Sequence, residues 1–546
     1  MQEETHGLFF RILSHEGHWK LLVLGILVLF TGLYFALFCY STMNGVGLNK
    51  DTATYFSVAS SLSVMEIPPA QAPFYYFLLM AGAALGISLR PWAWCINASC
   101  VLMLPAIVYW GMWRCFSNRW LALWSAIAVP CLHVVFSTLC EAQTEPVYFL
   151  FQMGGLFCLV KLVQKTPKSS TVLAGATICA AGAALTRYIG VTMILALGIA
   201  IAARPSKDIA LKRIVKAMGI CCLASIPLLA YVGFNHWRGV EAAGHSLQFV
   251  PISPKNIELA ESLFLTSFVP YKAYVLAQNW AHWISILALS LIVFGAIKAL
   301  HVRVLLPWLA YLVLYMVMLV ATIIFSDAQV HPGERFIALP MSVVLLLMGL
   351  ACFGNERTRI RRGGAWGLIC ILLIPVVVNG MRLKTIGLRW HRNGIGYAAV
   401  CWNENDMMRM IPRLVERFTV YTDTPSAVQL HTGCQTTHLI PRKVDPVTQQ
   451  QNGEFKGEME HLRDSGSLVV IFRAEHSNDI EFPYHMPNVR EMIDDFGLRK
   501  IADTRDGTIL GTQASFSELN QIAMQCGVQL TPSNGEIVFP TTTDAR

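Results

Sequence analysis

Between about residue 19 and residue 380 one apolar stretch follows another, with almost no charge inside any of them. A helix that crosses the hydrocarbon core of a bilayer needs about 20 largely apolar residues. Inside that core each backbone polar group must be satisfied by the segment itself or by its neighbours. The stretches therefore predict a polytopic α-helical membrane protein. Candidate spans are 19–40, 92–113, 120–139, 146–163, 171–186, 188–203, 214–234, 283–300, 304–325, 336–353 and 365–378. A further run, 73–87, is short and contains Gly82 and Gly86. Only 14% of the 546 residues are charged, against roughly 25% in soluble domains. Ordinary charge density returns after residue 380, so the chain divides into a membrane part, 1–390, and an aqueous part, 391–546.

Basic residues orient the spans, because they collect in cytoplasmic loops. The clusters are Arg114 with Arg119; Lys161, Lys165 and Lys168; Arg204 to Lys216; Lys298 with Arg303; and Arg357 to Arg362. If 73–87 crossed the bilayer, these clusters would alternate wrongly. If it does not cross, all of them fall inside with eleven spans, and 73–87 becomes an interfacial or re-entrant helix. Arg11 and Lys20 then place the N-terminus in the cytoplasm, and 19–40 reads as a retained first span and not a removed signal peptide. The aqueous part lies outside, which in a bacterium means an inner-membrane protein with a periplasmic domain. Long outer loops follow at 41–91 and 235–282. Because the formal charge of +8 is dispersed in this way, it excludes nucleic acid as the partner. Twelve of the fifteen cysteines precede residue 380, where Cys acts as a small hydrophobe; no spacing suggests zinc.

In the tail, 418–421 and 467–472 read as strands, 488–496 as a helix, and 498–512 as a hairpin around Asp506-Gly507. Asp423 and Pro425 mark a turn or helix start, and 449–457 reads as a loop. Strands alternating with helices predict a small α/β domain with a binding or structural role.

Ionisable residues near span ends are the candidates for chemistry. Asp51 stands just outside the first span: it is either the N-cap of a helix over 52–62 or a general base at the membrane surface. Glu141 and Glu145 flank a short turn, where the alternative to function is helix capping beside Pro146. Arg187, a lone outer cation at a hairpin apex, calls for an anion, either an acidic side chain or a lipid phosphate. His331, Glu334 and Arg335 precede the span 336–353; Glu334 and Arg335 could pair with each other, or Arg335 could hold a phosphate. The second outer loop adds Lys272 among aromatics that suit an interfacial belt.

The order of these features resembles a known superfamily. Asp51-x-x-x-Tyr55 is followed by Pro68-Pro69 and Pro73-Phe74-Tyr75-Tyr76. Glu145-Pro146, Leu185-Thr186-Arg187-Tyr188-Ile189-Gly190 and Glu334-Arg335-Phe336 come next, and then Val420-Tyr421-Thr422-Asp423-Thr424-Pro425. Across nearly the whole chain this is similar to the GT-C superfamily of membrane glycosyltransferases. Within it the sequence resembles bacterial relatives of protein O-mannosyltransferases and lipid A aminoarabinose transferases. The resemblance implies inverting transfer of a sugar from a polyprenyl-phosphate donor to a lipid, glycan or protein acceptor at the outer face. It implies Asp51 as general base, Glu145 as a second acidic site residue, and Arg187 and Arg335, with Lys272, at the donor phosphate. Tyr55, Glu141, His331 and Glu334 would line the site. A divalent metal ion is the one cofactor left open. Two departures stand out: Lys50 and Thr52 flank Asp51 where many relatives carry adjacent acids, and Ala70–Ala72 separates Pro68-Pro69 from Pro73. A transporter or lipid flippase, a polysaccharide polymerase or ligase, and a structural assembly protein are the competing classes. The absence of a convincing repeat and the placement of charges near span ends speak against transport.

Overall fold

The structure is a computed structural model that describes residues 16–532 apart from 70, 165–168, 205–208, 240–253, 267, 269–274, 276–280, 300–301, 326–333, 354–361, 446–449 and 474–485. It forms two compact units, Met1–Val46 with Tyr55–His391, and Gly47–Thr54 with Arg392–Arg546.

The first unit is helical. Its elements are α1 (Glu16–Ser41), α2 (Lys50–Ser61, of which it holds the part from Tyr55 on), α3 (Phe74–Ala84), α4 (Leu89–Phe116), α5 (Arg119–Cys131), α6 (His133–Cys140) and α7 (Glu145–Val163). They continue as α8 (Ser169–Thr186), α9 (Val191–Ala203), α10 (Ala210–Trp237), α11 (Pro254–Thr266), α12 (Ala281–Ala299), α13 (Val302–Phe325), α14 (Glu334–Phe353) and α15 (Arg362–Asn393). Among the described residues six helices are long and apolar enough to cross a membrane, or seven if one bent pair is a single span. The remaining expected spans fall on shorter or partly described helices, so eleven stays an expectation. The run 73–87 forms α3, an 11-residue helix about 16 Å long, well short of a ~30 Å hydrocarbon core.

The expected span 120–139 is not one continuous helix. It is two helices, α5 and α6, bent by 59°. Pro130 lacks the N–H that would continue the ladder, and Leu132 takes a non-helical ψ of 123°. The first N–H of α6 is not left bare in the apolar interior: His133 donates from its backbone to Asn379 Oδ1 on α15 at 3.1 Å, and its Nδ1 meets the same oxygen at 2.9 Å. Freed backbone groups in a bundle are satisfied in this way by neighbouring helices.

Among the described residues the second unit carries a six-stranded sheet of order β2-β1-β3-β5-β4-β6. Its strands are β1 (Val420–Thr422), β2 (Thr437–Leu439), β3 (Leu468–Phe472), β4 (Arg499–Asp503), β5 (Gly507–Gly511) and β6 (Thr531–Pro532). The β2-β1-β3 part is parallel and the rest antiparallel. Helices α18 (Pro425–Thr432) and α19 (Phe455–Asp464) make the parallel crossovers; α16 (Val400–Asn403) and α17 (Asp406–Leu414) precede β1. Beyond β3 come α20 (Val489–Asp494) and α21 (Phe516–Gln525). The α/β reading, the two strands, the helix near 488–496 and the Asp506-Gly507 hairpin are all present. The loop read over 449–457 ends early, because α19 begins at Phe455. A capping box between Asn488 and Glu491 opens α20, and the Met459, Leu462, Val469, Met492 and Leu510 side chains form the core. Residues 47–54 join this unit through the Leu48 carbonyl, which accepts from Tyr397 N–H at 2.7 Å.

Candidate functional site

Helix α7 starts where the sequence places Pro146, and its first residue is Glu145, flanked by Thr144, whose Oγ1 donates to Glu145 Oε2 at 3.0 Å. An acid in the first turn is favoured by the helix dipole. Glu145 is nevertheless almost completely buried, and its carboxylate is held by the guanidinium of Arg187 in an ion pair. Arg187 occupies the apex between α8 and α9, in extended conformation. The apex closes tightly because of Gly190: a Cβ there would lie 2.3 Å from the Ala183 backbone. Glu145 is thus an anion partner of Arg187, the acidic side chain that was one of the two alternatives its sequence position leaves open.

Arg187 also lies over the ring of Phe336, 4.7 Å from its centroid, and Arg335 approaches the same ring at 5.0 Å. Two guanidiniums that are distant in sequence thus share one aromatic face or edge, with carbon centres no more than about 10 Å apart. Cation–π attraction supplies roughly 0.5–2 kcal/mol per pair. The backbone beneath is pinned by Tyr315, whose hydroxyl donates to the Phe336 carbonyl at 3.1 Å. On the face of α7 that carries Glu145, Tyr148 and Gln152 continue inward, and Gln152 Oε1 accepts from Tyr311 at 2.5 Å. Tyr315, Tyr311 and Gln152 were not singled out from the sequence, and Phe336 entered it only within the run Glu334-Arg335-Phe336. The signal that could have found them is polar spacing inside apolar spans: Gln152 lies two turns after Glu145, and Tyr311 and Tyr315 are one turn apart.

The same apex tethers the loop that carries Pro68 and Pro69. Pro68 and Pro69 have no N–H to form a ladder, and their carbonyls serve as acceptors instead. Tyr188, next to Arg187, donates to Pro69 O at 2.5 Å, and Tyr231 on α10 lies 3.3 Å from Gln71 O. Tyr55 is buried with its ring edge-on to Tyr75 and Tyr76, at 5.2 and 5.1 Å. Glu141 is anchored through its backbone carbonyl, which accepts from Asn97 Nδ2 at 2.6 Å, and its carboxylate accepts from Gln143.

Asp51 lies in the segment 47–54 that belongs to the second unit. Its expected capping role is corrected: α2 starts at Lys50, and the cap is a reciprocal box between Asn49 and Thr52. Thr52 N–H donates to Asn49 Oδ1, and Asn49 N–H donates to Thr52 Oγ1, both at 3.1 Å. Asp51 stands in the first turn of the helix. Glu334 opens α14; Lys272 and His331 lie outside the described residues. Among the described residues no group of three His, Cys, Asp or Glu side chains is arranged to hold a metal ion.

No protein-family model matches this sequence, and no curated protein matches it. Solved structures do match. ArnT from Cupriavidus metallidurans bound to undecaprenyl phosphate aligns with 90% of this chain and 99% of its own, at 11% identity and a TM-score of 0.53. Its apo form gives a TM-score of 0.55 at 12% identity, over 89% and 98% of the two chains. The oligosaccharyltransferase AglB from Archaeoglobus fulgidus, in complex with an inhibitory peptide and a dolichol-phosphate, aligns with 83% of this chain and 69% of its own. That match has 12% identity and a TM-score of 0.50. Identity this low carries the architecture and leaves the chemistry to the residues. The chain shares the fold of ArnT and AglB.

Proposed function

We propose that this chain is a membrane glycosyltransferase that transfers a sugar from a polyprenyl-phosphate donor to an acceptor hydroxyl with inversion. The observation that carries the reading is the convergence of Arg187 and Arg335 on Phe336, within the fold of a protein that was solved with undecaprenyl phosphate.

In a single displacement the acceptor oxygen attacks the anomeric carbon as the carbon–oxygen bond to phosphate breaks. The acceptor proton passes to a base, and polyprenyl phosphate leaves with the negative charge. Asp51 is the base in this proposal, a contribution of about 10²–10⁴-fold. Arg187 and Arg335 meet the charge that develops on the departing phosphate. Fixed donors aimed at such charge stabilise the transition state without reorganising at the moment of reaction. Glu145 orients Arg187, which keeps that cation from swinging towards solvent when the site is empty. Lys272 extends the phosphate contacts, while Tyr55, Glu141, His331 and Glu334 border the sugar and acceptor. The donor is a hexosyl or pentosyl carrier, and the reaction takes place at the periplasmic face of a bacterial inner membrane.

The test is an assay of purified protein in bilayers with isotopically labelled polyprenyl-phosphate sugar. The expected result is label in an acceptor fraction together with released polyprenyl phosphate. Movement of the intact donor across the bilayer with its sugar–phosphate bond unbroken would overturn the reading in favour of a flippase.

A further inference from the structure

A second polar-and-apolar feature lies at the other end of the same helices. A cavity of about 1080 Å³ opens between α4, α7 and α8, at or above the top of the range for ordinary ligand pockets. From α7 it takes one helical face that includes Val147, Gly154 and Lys161, a furrow about 21 Å long. That exceeds the ~15 Å that one leaflet contributes to the hydrocarbon core. Arg114 of α4 and Thr171 of α8 stand with Lys161 in its lining. The ends match, because Gln164 just past α7 donates to Cys115 O at 2.7 Å. Arg114 and Lys161 occupy the last turns of α4 and α7.

Its charge is one-sided. Among the described residues no acidic side chain lines the cavity, and neither Arg114 nor Lys161 forms an ion pair. The Arg114 guanidinium lies 5.3 Å from the Trp110 ring centroid and 5.8 Å from that of Trp113. Such aromatics mark the level of the headgroups. Lys161 is sixteen residues after Glu145 in one helix, about 24 Å along the axis. The cationic end is therefore on the opposite membrane face from Glu145 and Arg187.

We infer that this cavity is a binding site for an anionic phospholipid of the bilayer. The headgroup phosphate would bridge Arg114 and Lys161, and one acyl chain would lie in the furrow along α7. A cation beside an apolar wall has lost part of its hydration, and a phosphate restores it through charge-assisted hydrogen bonds. A zwitterionic headgroup adds a cation where two already stand, so charge complementarity selects the anionic class.

The experiment reads lipids retained by the detergent-solubilised protein in native mass spectrometry, after exposure to phosphatidylglycerol and phosphatidylethanolamine with the same chains. One phosphatidylglycerol per chain is expected, preferred at least tenfold over phosphatidylethanolamine. Arg114→Gln with Lys161→Gln should remove that preference, and Gly154→Leu, which fills the furrow, should cut retention of both lipids. Equal retention of the two headgroups by the unmodified protein would overturn the proposal without recourse to any variant. Retention unchanged in both variants would overturn it too, as would displacement of phosphatidylglycerol by polyprenyl phosphate at equal concentration.

Discussion

Arg187 is held by a buried carboxylate and lies over a ring that it shares with a second arginine. Taking both charges of such a pair out of water is expensive, and removing only one leaves the other uncompensated at a cost of roughly 3–5 kcal/mol. Arg187→Ala alone should therefore lower the unfolding midpoint clearly, while adding Glu145→Gln should recover part of the loss; a double variant no better than the single would contradict the pairing. Arg335 has a different predicted signature. Arg335→Ala should raise the apparent donor KM at least tenfold while the acceptor KM stays within twofold, and an unmoved donor KM would remove it from the phosphate site. Asp51→Asn should cut transfer by at least 10²-fold with normal membrane insertion; near-normal turnover would require another base. Sequence made Glu145, Arg187 and Arg335 conspicuous because charge is costly in an apolar setting. It put them on one side of the membrane but did not reveal their direct contacts, because these join residues 42 apart and more. Asn49 was missed as the cap of α2 because Asp51 was an equally good capping residue two positions on.

Helix positions and the two tail strands were readable from apolar runs and turn residues, but helix lengths were not: α15, Arg362–Asn393, runs well past the expected 365–378. The α5–α6 break was not readable either, although Pro130 was in view: a proline kink need not become a break unless a side chain elsewhere accepts the exposed N–H. Asn379→Ala should cost about 1–3 kcal/mol through that unsatisfied group, visible as faster hydrogen exchange at His133. In the second unit β2 and β6, only three and two residues long, carry too little pattern to be read locally. Asp423, at the end of β1, is a further element-scale feature. Burial pushes its carboxyl up to about 7, against hydrogen bonds from Phe472 N–H, Thr422 and Thr424 that lower it. The folded state therefore holds a proton that the unfolded chain has already released above about pH 4. Stability is greatest through this group below pH 4 and falls as pH rises to about 7. Asp423→Asn should abolish that dependence, so the variant gains on the parent protein between pH 5 and pH 8. A gain of the parent over the variant in that window, in hydrogen exchange of β1 and β3, would reverse the assignment.

At the scale of the whole molecule the sequence separates an apolar part from an aqueous one, and the structure divides into two compact units with one boundary between His391 and Arg392. It also gives 47–54 to the tail unit, which composition could not show because polar loop residues suit either partner. Orientation is tested directly: single cysteines introduced into the tail of a cysteine-free variant should react with an impermeant reagent from the periplasmic side. Labelling only after the inner membrane is breached would invert the arrangement. The bent pair also bears on how the protein is made. His133 and the Asn379 that receives its N–H are 246 residues apart. At roughly 5–20 residues per second of synthesis, the acceptor emerges on the order of 10–50 s after the donor. The early part of the bundle must therefore wait in the bilayer in an unfinished conformation. A chain truncated before residue 379 should keep α5 and α6 as an unlocked pair, whatever else it has inserted correctly.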